Sequence, residues 1–139
     1  MQRVLRDTRV RDVMTRGVVT VKFYEPVKEV LSAMVENDVS AVVVVDDRNE
    51  AMGIISTVDV LNELKSRGED EVRRLEAEEL MTPFTVSISP ESSLLEAAEV
   101  MIERRIHRLV VLHPGEIAGG VPVGILSATD VLRVLHKSL

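Results

Sequence analysis

The sequence predicts a mixed α/β fold laid down twice in tandem, and three observations carry that prediction. Gly53-Ile-Ile-Ser-Thr-Val-Asp59 returns as Gly124-Ile-Leu-Ser-Ala-Thr-Asp130. Met14-Thr15 returns as Met81-Thr82 at an offset of 67 residues. Each copy also carries one amphipathic helical stripe followed by an unbroken aliphatic run, the helix-then-strand alternation of α/β chains.

The elements follow in order. In the first copy an extended piece over 18–21 leads into a helix opened by Glu25-Pro26, proline being suited to a helix start. Val27, Val30, Leu31, Met34 and Val35 fall on one face of that helix at i, i+3, i+4, i+7 and i+8. In the second copy the extended piece is 85–88, and Ser89-Pro90-Glu91 is expected to open a helix with Leu94, Ala97, Ala98, Met101 and Ile102 on its face. The runs over 41–45 and 109–112 suit strands covered on both sides. A turn follows each, polar over 46–50 and glycine-rich over 114–120, and returns the chain as a second strand over 52–55 or 123–126. Ser56 and Ser127 then start helices expected to run to about 67 and 137. The unit is β-α-β-β-α, twice: repeat 1 over 8–67, a charged linker helix or loop over 68–76, and repeat 2 over 77–137. Through the charged stretch from 68 to 80 that joins the copies, Val72, Leu75 and Leu80 are the only large apolar residues, so a solvated helix is expected there. Met14 and Met81 are expected in the core.

Composition excludes several classes of function. With 45% hydrophobic residues but only 2% aromatic, the 139-residue chain can bury a core, and that core must be aliphatic. The absence of cysteine removes disulfides, thiolate nucleophiles and thiolate metal sites. A formal net charge of -6 argues against a general nucleic-acid surface, which needs a basic field. No run approaches the ~20 apolar residues of a membrane span, and a soluble, cytoplasmic protein is expected. The three histidines show no metal-ligand spacing and no Ser-His-Asp arrangement is evident, so neither a metal site nor catalysis is predicted.

The doubled motif admits two readings. Ser56 with Asp59, and Ser127 with Asp130, form the Ser-x-x-Asp of a helix capping box, worth roughly 1 kcal/mol with no ligand present. The same residues suit a nucleotide. An ionised aspartate accepts both hydroxyls of a cis-diol, a helix N-terminus attracts phosphate, and glycine lets a backbone approach closely. Arg104-Arg105-Ile-His107-Arg108, before the second aliphatic run, offers cations for a phosphate or, alternatively, for the surface acids of this chain.

Two β-α-β-β-α units, each with Met-Thr near its start and Gly-h-h-Ser-x-x-Asp before its last helix, resemble the cystathionine-β-synthase (CBS) domain pair, or Bateman module, over nearly the whole chain. The resemblance implies repeats packed through their sheets about a pseudo-two-fold axis, with two clefts that bind an adenosine-containing ligand of the AMP, ADP, ATP or S-adenosylmethionine type. It implies that His107-Arg108 resembles the pair with which such proteins hold phosphate, the matching Ser40-Ala41 of the first copy being uncharged. The residue before the aspartate contacts phosphate in the family; Thr129 can do so and Val58 cannot, so the two copies are expected to be unequal. Thr20 and Thr85 fall where the family lines its adenine pocket, although strand propensity explains them equally. The implied nucleotide-binding set is Thr20, Ser40, Ser56, Asp59, Thr85, His107, Arg108, Ser127, Thr129 and Asp130.

By the same resemblance the expected role is a regulatory sensor that signals to an effector protein, needs no cofactor beyond its regulatory ligand, and forms a homodimer through its helices. An apolar surplus on Val58, Val60, Leu61 and Leu64, and on Val131, Leu132, Val134 and Leu135, is consistent with such pairing. A protein-association scaffold without a nucleotide, or a nucleic-acid-binding CBS protein, are the alternative readings.

Overall fold

The computed structural model describes residues 3–83, 86–113 and 120–139. In chain order the elements are α1 (Val4–Asp7), a 3-10 turn (Val10–Asp12), β1 (Thr15–Arg16), β2 (Thr20–Lys22), α2 (Val27–Glu36), β3 (Ala41–Val45), β4 (Ala51–Ser56) and α3 (Thr57–Arg67). They continue with α4 (Glu69–Val72), α5 (Ala77–Leu80), β5 (Thr82–Pro83), α6 (Leu94–Arg104), β6 (Arg108–His113), β7 (Val121–Ser127) and α7 (Ala128–Lys137). Of the turn expected over 114–120, only Gly120 lies within the described residues.

Two compact units divide the chain: residues 1–18 with 86–139 (unit I), and residues 19–85 (unit II). Unit II has a sheet in the order β2-β3-β4-β5. β2 runs parallel to β3 with Thr20 opposite Val43, β4 returns antiparallel, and the two-residue β5 sets Thr82 against Ile54. Every residue of β3 is buried, as its aliphatic run requires. Val27, Val30 and Met34 of α2 pack on Val42, Val44, Ile55 and Val60. In unit I the order is β1-β7-β6, and Leu94, Ala97 and Met101 of α6 pack with Leu109, Val111, Leu126 and Val131.

These units cross the linear repeats. The leading segment of each repeat folds into the unit built from the other repeat's hairpin, and the same contacts recur 67 residues apart. Val10 N–H donates to Ser92 O (2.8 Å) as Ala77 N–H donates to Glu25 O (2.8 Å). Arg11 N–H donates to Pro90 O as Glu78 N–H does to Phe23 O, and Leu94 N–H to Thr8 O as Val27 N–H does to Leu75 O. The stretch over 68–76 is therefore no solvated linker helix. It holds the short α4 and a turn, and it buries Val72 and Leu75 in the unit II core alongside Leu80. Spacing alone missed this because three apolar residues among many charges read as a solvated face, whereas Val72 at the end of α4, Leu75 in the segment after it and Leu80 at the end of α5 are all buried in one cluster.

Two further expectations change. Over 85–88 the described residues give a single parallel bridge, Ile88 with Val111, and Thr85 lies outside the described residues. The helix expected from Ser89-Pro90-Glu91 begins later. Those residues form a turn in which Glu91 N–H donates to Ser89 Oγ (3.2 Å), while Ser93 becomes the N-cap by accepting from Glu96 N–H (3.1 Å). A side-chain acceptor at the cap outweighed proline as a start signal.

Met14 is buried in unit I, and Met81 packs against the core of unit II. Of the helix residues read as surplus, Val60 and Val131 are buried and Leu64 and Val134 pack against the cores. Val58, Leu61, Leu132 and Leu135 stay exposed.

Candidate functional site

The two Ser-x-x-Asp motifs sit where a strand ends and a helix begins. At α7, Ser127 Oγ accepts from Asp130 N–H (3.1 Å) and Asp130 Oδ2 accepts from Ser127 N–H (2.9 Å). At α3 the reciprocal bonds of Ser56 and Asp59 measure 3.1 and 2.8 Å. Both are closed capping boxes. Ser127→Ala is expected to cost about 1 kcal/mol, which a thermal melt reads as a loss of roughly 3–4 °C.

Closure of the box changes what a ligand can find there. The helix start adds one more internal bond: Ala128 N–H donates to the His107 carbonyl (2.8 Å), as Thr57 N–H donates to the Ser40 carbonyl (2.9 Å). Of the donors freed at the start of α7, only Thr129 N–H has no partner among the described residues. In α3 the corresponding donor is Val58 N–H. The helix N-terminus expected to attract phosphate thus keeps one unfilled backbone donor per motif among the described residues. At α7 that donor comes with the exposed Thr129 hydroxyl.

Strand register brings cations to the second motif. Arg108 lies opposite Ser127 in the β6–β7 ladder, and His107 precedes it with an exposed side chain. The structure therefore unites His107, Arg108, Ser127, Thr129 and Asp130 at one end of unit I. In unit II the same register sets Ala41 opposite Ser56, with the exposed Ser40 beside it and no charge added. Thr20 opens β2 at that same end of the sheet, with its side chain exposed. Tyr24, whose hydroxyl is pushed up by a 2.9 Å hydrogen bond to Asp47, lies toward the other end.

A residue that sequence reasoning missed separates the two aspartates. Arg133 Nη1 donates to Asp130 Oδ1 at 3.1 Å, whereas Asn62 stands at the equivalent place in α3. The i, i+3 spacing was the available signal. With the Arg133 side chain 67% exposed the pair is weak, so a ligand hydroxyl can displace it. Among the described residues no group of three or more His, Asp or Glu is placed to hold a metal ion, and no helix is long and apolar enough to cross a membrane.

The glycine heading each motif answers to the protein's own chain. A Cβ on Gly124 would stand 2.7 Å from Met14 Sδ and 2.8 Å from Thr15 O; one on Gly53 would stand 2.6 Å from Thr82 O. The Met-Thr and Gly-h-h-Ser motifs are thus packing partners, each pairing with the copy from the other repeat.

Comparison with known proteins agrees with this architecture. The CBS domain family matches residues 10–66 and 77–137. The CBS domain of a CBS-domain-containing membrane protein from Sphaerobacter thermophilus is 30% identical and superposes with a TM-score of 0.76, covering 94% of this chain and 89% of that one. CBSX2, solved in complex with AMP, is 28% identical with a TM-score of 0.74, covering 94% of this chain and 98% of that one. An uncharacterised protein of Methanopyrus kandleri is 28% identical over 132 residues, 94% of this chain. The chain spans 64% of that relative's length and 37% of a 33.4 kDa protein of Thermofilum pendens that is 36% identical over 114 residues. Two tandem matches over most of the sequence, on a mixed α/β fold shared with solved CBS domain structures, show that this chain belongs to the CBS domain family.

Proposed function

We propose that this chain is a regulatory module, not an enzyme, which binds an adenosine-containing nucleotide at the start of α7 and passes the signal to an effector protein. The observation that carries the reading is the β6–β7 register, which sets Arg108 beside a helix start where Thr129 offers an unfilled N–H and a hydroxyl. Arg108, His107 and Thr129 hold the phosphate, and Asp130 takes the ribose hydroxyls once Arg133 swings away. Ser127 holds the helix start in place. In unit II, Ser56 and Asp59 with Thr20 and Ser40 offer a weaker counterpart that carries no cation. The AMP found on CBSX2 supports a nucleotide as the ligand class. Exposed Val58, Leu61, Leu132 and Leu135 support a homodimer through the helices.

Isothermal titration with AMP, ADP, ATP and S-adenosylmethionine tests the proposal. One ligand of this set is expected to bind, and Arg108→Ala to weaken a phosphate-bearing ligand at least about tenfold by removing a charge-assisted bond. S-adenosylmethionine carries no phosphate, so its binding would be spared. No heat from any of the four at millimolar concentration would sink the reading. The closed capping boxes favour a second reading, a protein-association scaffold, because they are complete without a ligand. That reading predicts that Asp130→Ala lowers the melting temperature while no nucleotide raises it.

A further inference from the structure

Leader exchange gathers cations in unit I. Counted by folded unit, the net charge of -6 is uneven: unit I has ten Lys and Arg against eight acids, a net +2, and unit II has seven against fifteen, a net -8. Three arginines of the first leader converge near the turn over 89–92, which holds a single acid, Glu91. Arg11 Nη1 donates to Glu91 Oε1 at 3.0 Å, and Arg9 Nη1 lies 3.6 Å from Glu91 Oε2. Arg16 Nη2 donates to the Arg11 carbonyl (3.1 Å), and its charge meets no carboxylate among the described residues.

Beside this cluster lies a 390 Å³ cleft. Met14, Pro90 and Val123, all buried or half-buried, give it an apolar floor, and the exposed Arg11, Arg16 and His113 stand at its rim. It is remote from the α7 motif. His113 ends β6, whose first residue is Arg108, and five strand steps set the two about 17 Å apart.

The internal repeat shows what leaves this space open. At 67 residues from Arg11, Arg16, Ser89 and Pro90 stand Glu78, Pro83, Lys22 and Phe23 of unit II. The two places correspond, since Arg11 N–H donates to Pro90 O as Glu78 N–H donates to Phe23 O. Phe23 packs against the unit II core, and Lys22 Nζ is tied to Asp46 O (3.1 Å) and Asn49 Oδ1 (3.0 Å). A large aromatic ring and a tethered lysine thus occupy unit II where unit I has only proline and serine. The leader cations of unit I are replaced there by an acid and a proline.

We propose that the unit I cleft binds a small monocarboxylate with an apolar body, its carboxylate on Arg16 and Arg11 and its hydrocarbon over Met14, Pro90 and Val123. The planar guanidinium fork matches a carboxylate, and Arg11 already holds that of Glu91. The pairs to Glu91 are about half exposed and reorient at little cost. An inorganic anion has nothing to bury on the apolar floor, whereas a short hydrocarbon does. The volume is at the small end for ligand pockets, as a ligand of few carbons requires. This cleft is separate from the nucleotide site and does not depend on that reading.

A ligand-observed NMR titration of the full chain with 4-methylpentanoate tests the proposal, with 4-methylpentanamide, inorganic phosphate and AMP as comparisons. The carboxylate is expected to bind at millimolar concentration or below, and the neutral amide at least about tenfold more weakly, because a charge-assisted bond is lost. Arg16→Gln should weaken the carboxylate about tenfold and leave the amide unchanged, a split that general loss of structure would not give. Pro90→Phe, which copies the side chain of unit II, should abolish binding of both. Arg16 is exposed, so its variant stays readable even if Pro90→Phe melts early. Wild-type affinity in Arg16→Gln, or an amide bound as tightly as the carboxylate, overturns the role given to the arginines. Displacement by equimolar phosphate marks a simple anion site and overturns the apolar floor. Displacement by AMP puts the carboxylate at the α7 motif and overturns the separate cleft. No binding by wild type at millimolar concentration overturns the proposal, whatever the nucleotide titration shows.

Discussion

Replacing Val10 by aspartate is expected to unfold residues 86–139 while residues 19–85 keep their protection. Val10 is fully buried and packs with Leu94, Leu109, Val111 and Leu126, all from the second repeat. A carboxylate there has no partner and must either lose hydration or be protonated, which places the substitution among the few that cost more than about 4 kcal/mol. A unit of this size has only about 4–10 kcal/mol of stability to lose. Amide hydrogen exchange reads the result directly, because protection maps which segments open together. Loss of protection in β6, β7 and α6, with β3 and β4 still slow, is the outcome that leader exchange demands. If β3 and β4 opened instead, the first leader would serve its own repeat. Ala77→Asp is the mirror experiment: Ala77 is fully buried among unit II residues, so there β3 and β4 should open first.

Gly124→Ala carries the second largest expected effect, about 3 kcal/mol, seen as a fall of roughly 10 °C in Tm. Of the two atoms the new methyl would meet, Met14 Sδ sits at the end of a flexible side chain and can move aside. Thr15 O cannot, because the β1–β7 ladder, with Thr15 opposite Ile125, fixes that backbone. Gly53→Ala meets Thr82 O at 2.6 Å, held likewise by the β4–β5 ladder, and should cost a similar amount. Gly17→Ala is the control. It has the left-handed φ of +81° but no atom within 4 Å of a Cβ, so only the conformational penalty of about 1 kcal/mol applies. A Gly124→Ala protein that melts with wild type would show that the strand can back away, and the packing argument would fall.

The candidate site was legible wherever it was local. Ser127 with Asp130 and Ser56 with Asp59 could be read as capping boxes because both partners lie within one helical turn, and so they fold. The position of Arg108 was legible only as a neighbour of an aliphatic run. That it stands opposite Ser127 depends on hairpin register, which involves residues far apart in sequence. The same limit hid the loss of first-turn donors, since Ala128 N–H is taken by His107, 21 positions back.

By itself the sequence determined the doubled order of helix, strand, strand and helix, the aliphatic core, and the helix starts at Ser56 and Ser127. All of these follow from short-range periodicity, capping chemistry and composition. The tertiary structure alone decided which leader completes which hairpin. It thereby assigned Met14 to Gly124 and Met81 to Gly53, buried Val72 and Leu75, and parted a charge of -6 into units of +2 and -8. The reason is physical. In a tandem repeat either leader has the residues to fit either hairpin, so local preference is degenerate and only long-range packing breaks the tie.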